Sequence, residues 1–153
     1  MYAQYSDELA QYDDGPAVDP KWSDKVADKY MSNEDPCLEW IDIRADGHIV
    51  GFLIVYLHIG EGRYLFRQQI RICEAYILPS YRKKGLMREA VQELLKGGHD
   101  VSFEVYKRNP AIEFWRKILA ENGYRCIRES DYFLNKSMAE YLFRKDDGSV
   151  EEV

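Results

Sequence analysis

A chain of 153 residues with 46% apolar and 31% charged residues has the composition of a globular protein, which excludes a wholly disordered chain. At this length folding removes about 68–70% of the unfolded surface from water, so neither a disulfide nor a structural metal is required. The net charge of −6 is uneven: residues 1–36 carry nine acidic and three basic residues, 37–145 carry 14 acidic and 18 basic, and 146–153 carry four acidic. That balance argues against general nucleic-acid binding, which uses a broad positive face.

The first dozen residues offer Leu9 and several tyrosines but little period, and "DDGPAVDP" is a loop by its Gly and Pro content. Asp19-Pro20 starts a helix, with Trp22, Val26, Tyr30 and Met31 on one face, and "SNEDP" ends it. From Leu38 the pattern becomes strands: "LEWIDIR", a two-residue Asp46-Gly47 turn, then "HIVGFLIVYLHI". "GEGR" turns the chain into "YLFRQQIRICEAYIL", whose continuous apolar end implies burial on both faces. Leu86, Met87, Ala90, Val91, Leu94 and Leu95 recur at helical spacing up to Gly97-Gly98. "DVSFEVY" is a strand, and "NPAIEFWRKILAENGY" is a helix capped by Asn109, with Pro110 at its first position. "YRCIR" and "MAEYLFR" supply a last pair of strands. This order predicts an α/β (α+β layered) fold, with a mixed, mostly antiparallel sheet and helices on its faces. Residues 1–36 are read as an acidic helical part of the same domain, 37–145 as the ligand-binding domain and 146–153 as an acidic tail.

Cys37, Cys73 and Cys126 form no CxxC pair and His48, His58 and His99 are scattered, so no metal site is expected and the thiols read as reduced cysteines of a cytoplasmic protein. "MYAQYSDELAQYDD" has neither a positive end nor an apolar run, and no stretch of about 18 apolar residues occurs, so we expect no signal peptide and no membrane span. Asn135-Lys136-Ser137 matches the glycosylation pattern by chance.

The stretch Ala75–Leu95 carries the chemistry. An apolar strand ends in Arg82, Lys83, Lys84 and Gly85, with Arg88 following, and feeds directly into a helix. Positive side chains this crowded call for a negative partner, and a loop that opens a helix presents unpaired N–H groups and the positive end of the helix dipole. A diphosphate suits such a site. Neither GxxxxGK[ST] nor GxGxxG is present, which leaves another class of phosphate-bearing ligand.

Arg82-Lys83-Lys84-Gly85-Leu86-Met87 resembles the [Q/R]-x-x-G-x-[G/A] motif of the GNAT superfamily of acetyl-CoA-dependent N-acetyltransferases, with Met87 departing at the last small position. "NPAIEFWRK" is similar to the segment that flanks the pantetheine arm in that family, and the likeness spans about residues 38–144. The resemblance implies that backbone at Ala75 and Ile77 binds pantetheine and that Arg82, Lys83, Lys84, Gly85, Leu86 and Met87 hold the diphosphate of acetyl-CoA. It implies too that Asn109 and Trp115 touch the cofactor from the other arm of a split sheet. Trp115 stands where the family often has a tyrosine that protonates the departing thiolate, a role indole cannot fill. The Asn109 to Ala111 spacing is shorter than the family's, and Gly123-Tyr124 comes later than its usual Gly-Phe.

The acceptor implied is a primary amine, on a small molecule or a peptide. An alkyl amine with a pKa of about 10.4 is protonated at neutral pH and needs a base. Glu74 and Glu104 are the candidates, and some family members use a glutamate placed like Glu104. Tyr76, Tyr81, Tyr106 and Tyr124 are unranked proton donors. Orienting the amine supplies about 7–11 kcal/mol and a general acid only about 3–5, so transfer survives without the tyrosine. The competing reading, motivated by Met87 and Trp115, is a non-catalytic module that binds CoA or a protein partner. Acetylation of aminoacyl-tRNA is a third, disfavoured by the acidic ends, and a homodimer is compatible with the sequence. The acidic residues 1–36 favour a cationic amine.

Overall fold

The computed structural model describes residues 1–14, 20–32, 34–58 and 69–146. Helices α1 (Tyr2–Ala10) and α2 (Pro20–Met31) precede three strands, β1 (Leu38–Ala45), β2 (His48–His58) and β3 (Gln69–Ile77). A 3₁₀ turn at Pro79–Tyr81 leads to α3 (Leu86–Leu95), followed by β4 (Asp100–Tyr106), α4 (Ala111–Glu121), β5 (Tyr124–Asp131) and β6 (Met138–Lys145). The six strands form one sheet in the order β1-β2-β3-β4-β6-β5, in which only β3 and β4 run parallel. This is the mixed, mostly antiparallel sheet with helices that the sequence predicts.

The β1–β2 hairpin turns through Asp46 (φ 53°) and Gly47 (φ 76°), both left-handed, as a two-residue turn matched to strand twist requires. One sheet face carries the larger core: Leu53 and Val55 of β2, Ile70 and Ile72 of β3, Val101 and Phe103 of β4 and Phe143 of β6, packed under Val91 and Leu95 of α3 and Ile118 and Leu119 of α4. The opposite face carries a smaller aromatic cluster in which Tyr5 of α1 packs on Phe52, Ile54 and Tyr76, with Tyr2, Tyr30 and Trp40 beside it.

Two sequence expectations change. Residues 2–10 form a helix where no period is evident, because its inward face is built from Leu9 and from Tyr2 and Tyr5, whose rings pack while their hydroxyls stay bonded. Met31, expected on the buried face of α2, is 65% exposed. The expected cap at Asp19, the side chains of Trp22 and Val26, the 60–63 turn, all of "YLFRQ" and the tail beyond Asp146 lie outside the described residues. No helix among the described residues is long and apolar enough to cross a membrane.

Candidate active site

The β3–β4 ladder is short. It runs from Gln69↔Asp100 to Ile72↔Phe103 and stops, while β3 continues beside β2 to Ile77 and β4 beside β6 to Tyr106. Beyond Ile72 the two strands therefore part, and the backbone groups facing the gap must find another partner. Leu78 donates its N–H to Val50 O at 2.8 Å. Antiparallel alternation then turns the N–H and C=O of Ala75 and Ile77 away from β2, into the gap. Of these, Ile77 O is already taken by Arg82 Nε at 2.8 Å.

The loop after β3 builds an anion seat. Lys83 (φ 62°) and Gly85 (φ 80°) are both left-handed, a backbone pattern that makes successive N–H groups converge, and α3 begins at Leu86 with no side-chain cap. A Cβ placed on Gly85 would meet no protein atom within 4 Å, so the space over this backbone is open to a ligand. A cleft of about 350 Å³ lies there, lined by residues that include Ile77, Arg82, Gly85, Leu86, Met87 and Phe114.

The cations around the seat are less free than the sequence suggests. Arg82 Nη2 donates to both oxygens of Glu8 on α1 (2.8 and 3.1 Å), and its guanidinium lies 5.2 Å from the centre of the Tyr76 ring. Arg88 pairs with Glu121, and Lys84 Nζ sits 5.0 Å over the Tyr81 ring. The crowding of Arg82, Lys84 and Arg88 is thus partly answered within the protein, and Arg82 tethers α1 to the loop. The acidic N-terminal residues are occupied as well. Asp14 pairs with Arg108 at 2.7 Å, and Asp13 accepts from Tyr106 at 3.1 Å and Asn135 at 3.4 Å.

Across the gap, Asn109 Oδ1 accepts the N–H of Ala111, the first residue of α4, at 2.9 Å, and Pro110 stands at the cap position, one residue later than the sequence suggests. Trp115 is not on the cleft. It is buried in the main core, 5.5 Å from Phe103 and 5.2 Å from Phe114 between ring centres, and Phe114 is the α4 ring that lines the cleft. One step along a helix turns a side chain by about 100°, so Trp115 shares the inward side with Leu119, as the helical spacing has it, while Phe114 turns to the cleft.

Both glutamate candidates stand where β3 and β4 part, on the face under α1 and α2. Glu74 is there because of a bulge: Ile54 pairs with Glu74 and Val55 with Ile72, leaving Cys73 as the extra residue. Without it, the alternation begun by Ile70 and Ile72 would aim Glu74 into the apolar core. Its carboxylate instead accepts from Tyr5 through Oε2 and from Tyr30 through Oε1 (3.4 Å). Burial pushes the Glu74 pKa up to about 7, against the hydrogen bonds from Tyr5, Tyr30 and Tyr2, with Glu104 adding to the rise. Burial also raises Glu104, but Arg71 Nη2, at 2.8 Å, opposes it and holds that carboxylate in an ion pair. Glu74 is accordingly the better base: half ionised near neutral pH and without a cationic partner among its hydrogen bonds. Cys73 is pushed up to about 11 by burial, so it is a thiol and not a nucleophile at neutral pH.

The tyrosines can now be ranked. Tyr81 lines the cleft. Tyr76 is buried and donates to Glu8 at 2.9 Å, Tyr106 is spent on Asp13, and Tyr124 donates to His99 O at 3.0 Å, on the loop between α3 and β4. Sequence reasoning missed Glu8, Tyr5 and Tyr30, whose role depends on contacts across 44 to 74 residues, and Phe114 as a lining residue. Among the described residues no group of three His, Cys, Asp or Glu side chains is placed to hold a metal.

Known structures share this architecture. A GNAT-family protein from Desulfovibrio desulfuricans superposes with TM-score 0.58 at 13% identity, covering 95% of this chain and 89% of its own. Chaetomium thermophilum Naa20 in complex with a bisubstrate analogue gives 0.54 at 18% identity over 95% and 83%. Arabidopsis thaliana NAA60, also with a bisubstrate analogue, gives 0.52 at 16% identity over 93% and 91%. Identities this low establish the fold and not the substrate. No curated protein matches the sequence significantly. The sequence model of the acetyltransferase (GNAT) family matches residues 3–120, which include the parting strands, the Gly85 loop and Glu74, and the chain belongs to that family.

Proposed function

We propose that the protein is an N-acetyltransferase that moves an acetyl group from acetyl-CoA to a primary amine by direct attack within a ternary complex. The observation that carries this reading is the juxtaposition at one gap in the sheet: an anion seat beside open space over Gly85 on one side, and a carboxylate titrating near neutral pH on the other.

The residues fit the cofactor. The N–H groups from Lys83 to Met87 would hold the diphosphate, Ala75 and the N–H of Ile77 would pair with the pantetheine amides, and Leu86, Met87 and Phe114 would give apolar contact. Asn109 retains its amide NH₂ for the far side of the arm. The side chain of Arg82 positions the loop from below, through Ile77 O and Glu8. Acetyl-CoA, when bound, supplies an activated acyl group: the amine nitrogen bonds to the acyl carbon, the carbon–sulfur bond breaks, and CoA departs as a thiol. Glu74 takes the proton that the ammonium must lose, directly or through one water. Tyr81, which lines the cleft, would give a proton to the leaving sulfur and recover one from the nitrogen as the amide forms.

Calorimetry with CoA, followed by thiol release from acetyl-CoA with a panel of small-molecule and peptide amines, tests the reading. CoA binding with amine-dependent thiol release is expected. Binding without turnover on any amine would favour the non-catalytic module, and no binding would remove the reading altogether.

A further inference from the structure

Glu74 is reached by hydroxyls from two separate helices. Tyr5 of α1 donates to Oε2 and Tyr30 of α2 to Oε1, and Tyr2 of α1 adds a third phenol. Each oxygen of an ionised carboxylate has two acceptor sites, so the three phenols leave one site for an ammonium or a bridging water. Tyr5 itself is immobilised. Its ring is buried, edge-on to Phe52 at 5.5 Å and tilted against Tyr76 at 5.5 Å and Tyr2 at 5.6 Å. One turn further along α1, Glu8 is fixed by Tyr76 and Arg82. The helix that holds Glu74 is therefore bolted to the loop that holds the anion seat.

We propose that Tyr5 and Tyr30 are positioning residues that hold the Glu74 carboxylate at the parting of β3 and β4, acting through Glu74 and not on the substrate. Glu74 as the base of the acetyl transfer proposed above, on which this assignment rests, needs such a hold. Its side chain has three rotatable bonds and stands on a bulge, paired to Ile54 of β2 on one side while β4 has already parted on the other. The groups that face it are Tyr2 and Tyr5 from α1, Tyr30 from α2, Cys73 beside it on β3, and Glu104 and Tyr106 from β4. Burial raises Tyr2, Tyr5 and Tyr30 above the usual phenol range and takes Cys73 to about 11 and Tyr106 to about 12. All five stay protonated through neutral pH. Glu104 is held by Arg71. Glu74 is carried to about 7, and the hydrogen bonds of the phenols lower it from where burial alone would put it.

The test is the pH dependence of kcat/KM in wild type, Tyr5→Phe, Tyr30→Phe and Glu74→Gln. Glu74→Gln removes the acid limb and about 10²–10⁴-fold of the rate. Tyr5→Phe keeps the packed ring and deletes one donor to the carboxylate, so the acid limb moves up by about one pH unit: the rate falls about tenfold at pH 6 and much less at pH 9. Tyr30→Phe, on the longer bond, moves it in the same direction by less, and it serves as the second variant should Tyr5→Phe fail to fold. A loss equal at every pH, or an unmoved limb, would show that the tyrosines only pack. Carbon-13 NMR titration of the glutamate carboxyls in the ligand-free protein, with the Glu74 signal identified by its loss in Glu74→Gln, separates the two proposals. A raised midpoint in Tyr5→Phe without turnover on any amine leaves the hold standing and removes the acetyl transfer. An unchanged midpoint removes the hold, whatever the turnover.

Discussion

Replacing Gly85 by alanine separates the conformational role of this residue from its ligand role. Gly85 has φ 80° and Gly123 has φ 79°, and in both places an added Cβ meets no protein atom within 4 Å. The two substitutions therefore carry the same cost, the left-handed backbone imposed on a side chain, which is about 1–2 kcal/mol. For a chain of this length that lowers the melting temperature by about 2–8 °C in each variant. Only at Gly85 does the methyl project over the N–H groups that begin α3. Losing one hydrogen bond to a charged group costs about 1.5–3 kcal/mol, so CoA should bind Gly85→Ala about 10- to 150-fold more weakly and Gly123→Ala as tightly as wild type. Thermal melts and isothermal titration with CoA on the three proteins give both numbers. Equal melting shifts with equal CoA affinities would place the diphosphate elsewhere and refute the reasoning.

Glu74→Gln should change how stability depends on pH. The Glu74 carboxyl titrates at about 7 in the folded chain against 4.5 in its absence, so between these values the folded state retains a proton that the unfolded state has lost, and stability falls as pH rises. At about 1.4 kcal/mol for each pH unit the loss is on the order of 3 kcal/mol by pH 7. Urea unfolding at pH 4.5 and 7.5 should show that slope in wild type and a flatter one in the variant; parallel slopes would mean that Glu74 is not sequestered. Trp115→Ala should cost about 3–5 kcal/mol in the same assay, as for a buried aromatic. Phe114→Ala should cost about 1–2 kcal/mol and weaken CoA binding, an order that the reversed result would overturn.

Much of the scaffold was legible because its residues are locally consistent. Asp46-Gly47 can only turn a hairpin, Leu86 to Leu95 hold a helical period, and Asp100–Tyr106 matches the predicted strand at both ends. β5 was read three residues short, since its last residues are exposed, polar and held chiefly by backbone pairing to β6, which leaves no side-chain period. α1 was hidden because tyrosine counts as neither core nor surface until its hydroxyl finds a partner. The turn from Arg82 to Met87 was legible as a basic, Gly-containing start to a helix because it is contiguous. Glu74 and Glu104 were both named, but not ranked, because the aim of Glu74 depends on a bulge at Cys73 that only pairing with β2 reveals. Helical spacing put Trp115 with Ile112 and Leu119, whereas the cleft contact implied for it by the family resemblance falls to its neighbour Phe114.

The tether between residues 1–14 and the rest of the chain has a consequence for biosynthesis. Asp13 is fixed by Asn135 and Asp14 by Ser137, contacts that close over 122 and 123 residues. At a ribosomal rate of about 5–20 residues per second, the amino-terminal segment waits roughly 6–25 s for these anchors to be made. The cover over Phe52, Ile54 and Tyr76 can close earlier, since Tyr5 reaches Glu74 and Glu8 reaches Tyr76 and Arg82, so a nascent chain leaves α1 docked but the segment that follows it unanchored until Asn135 and Ser137 arrive.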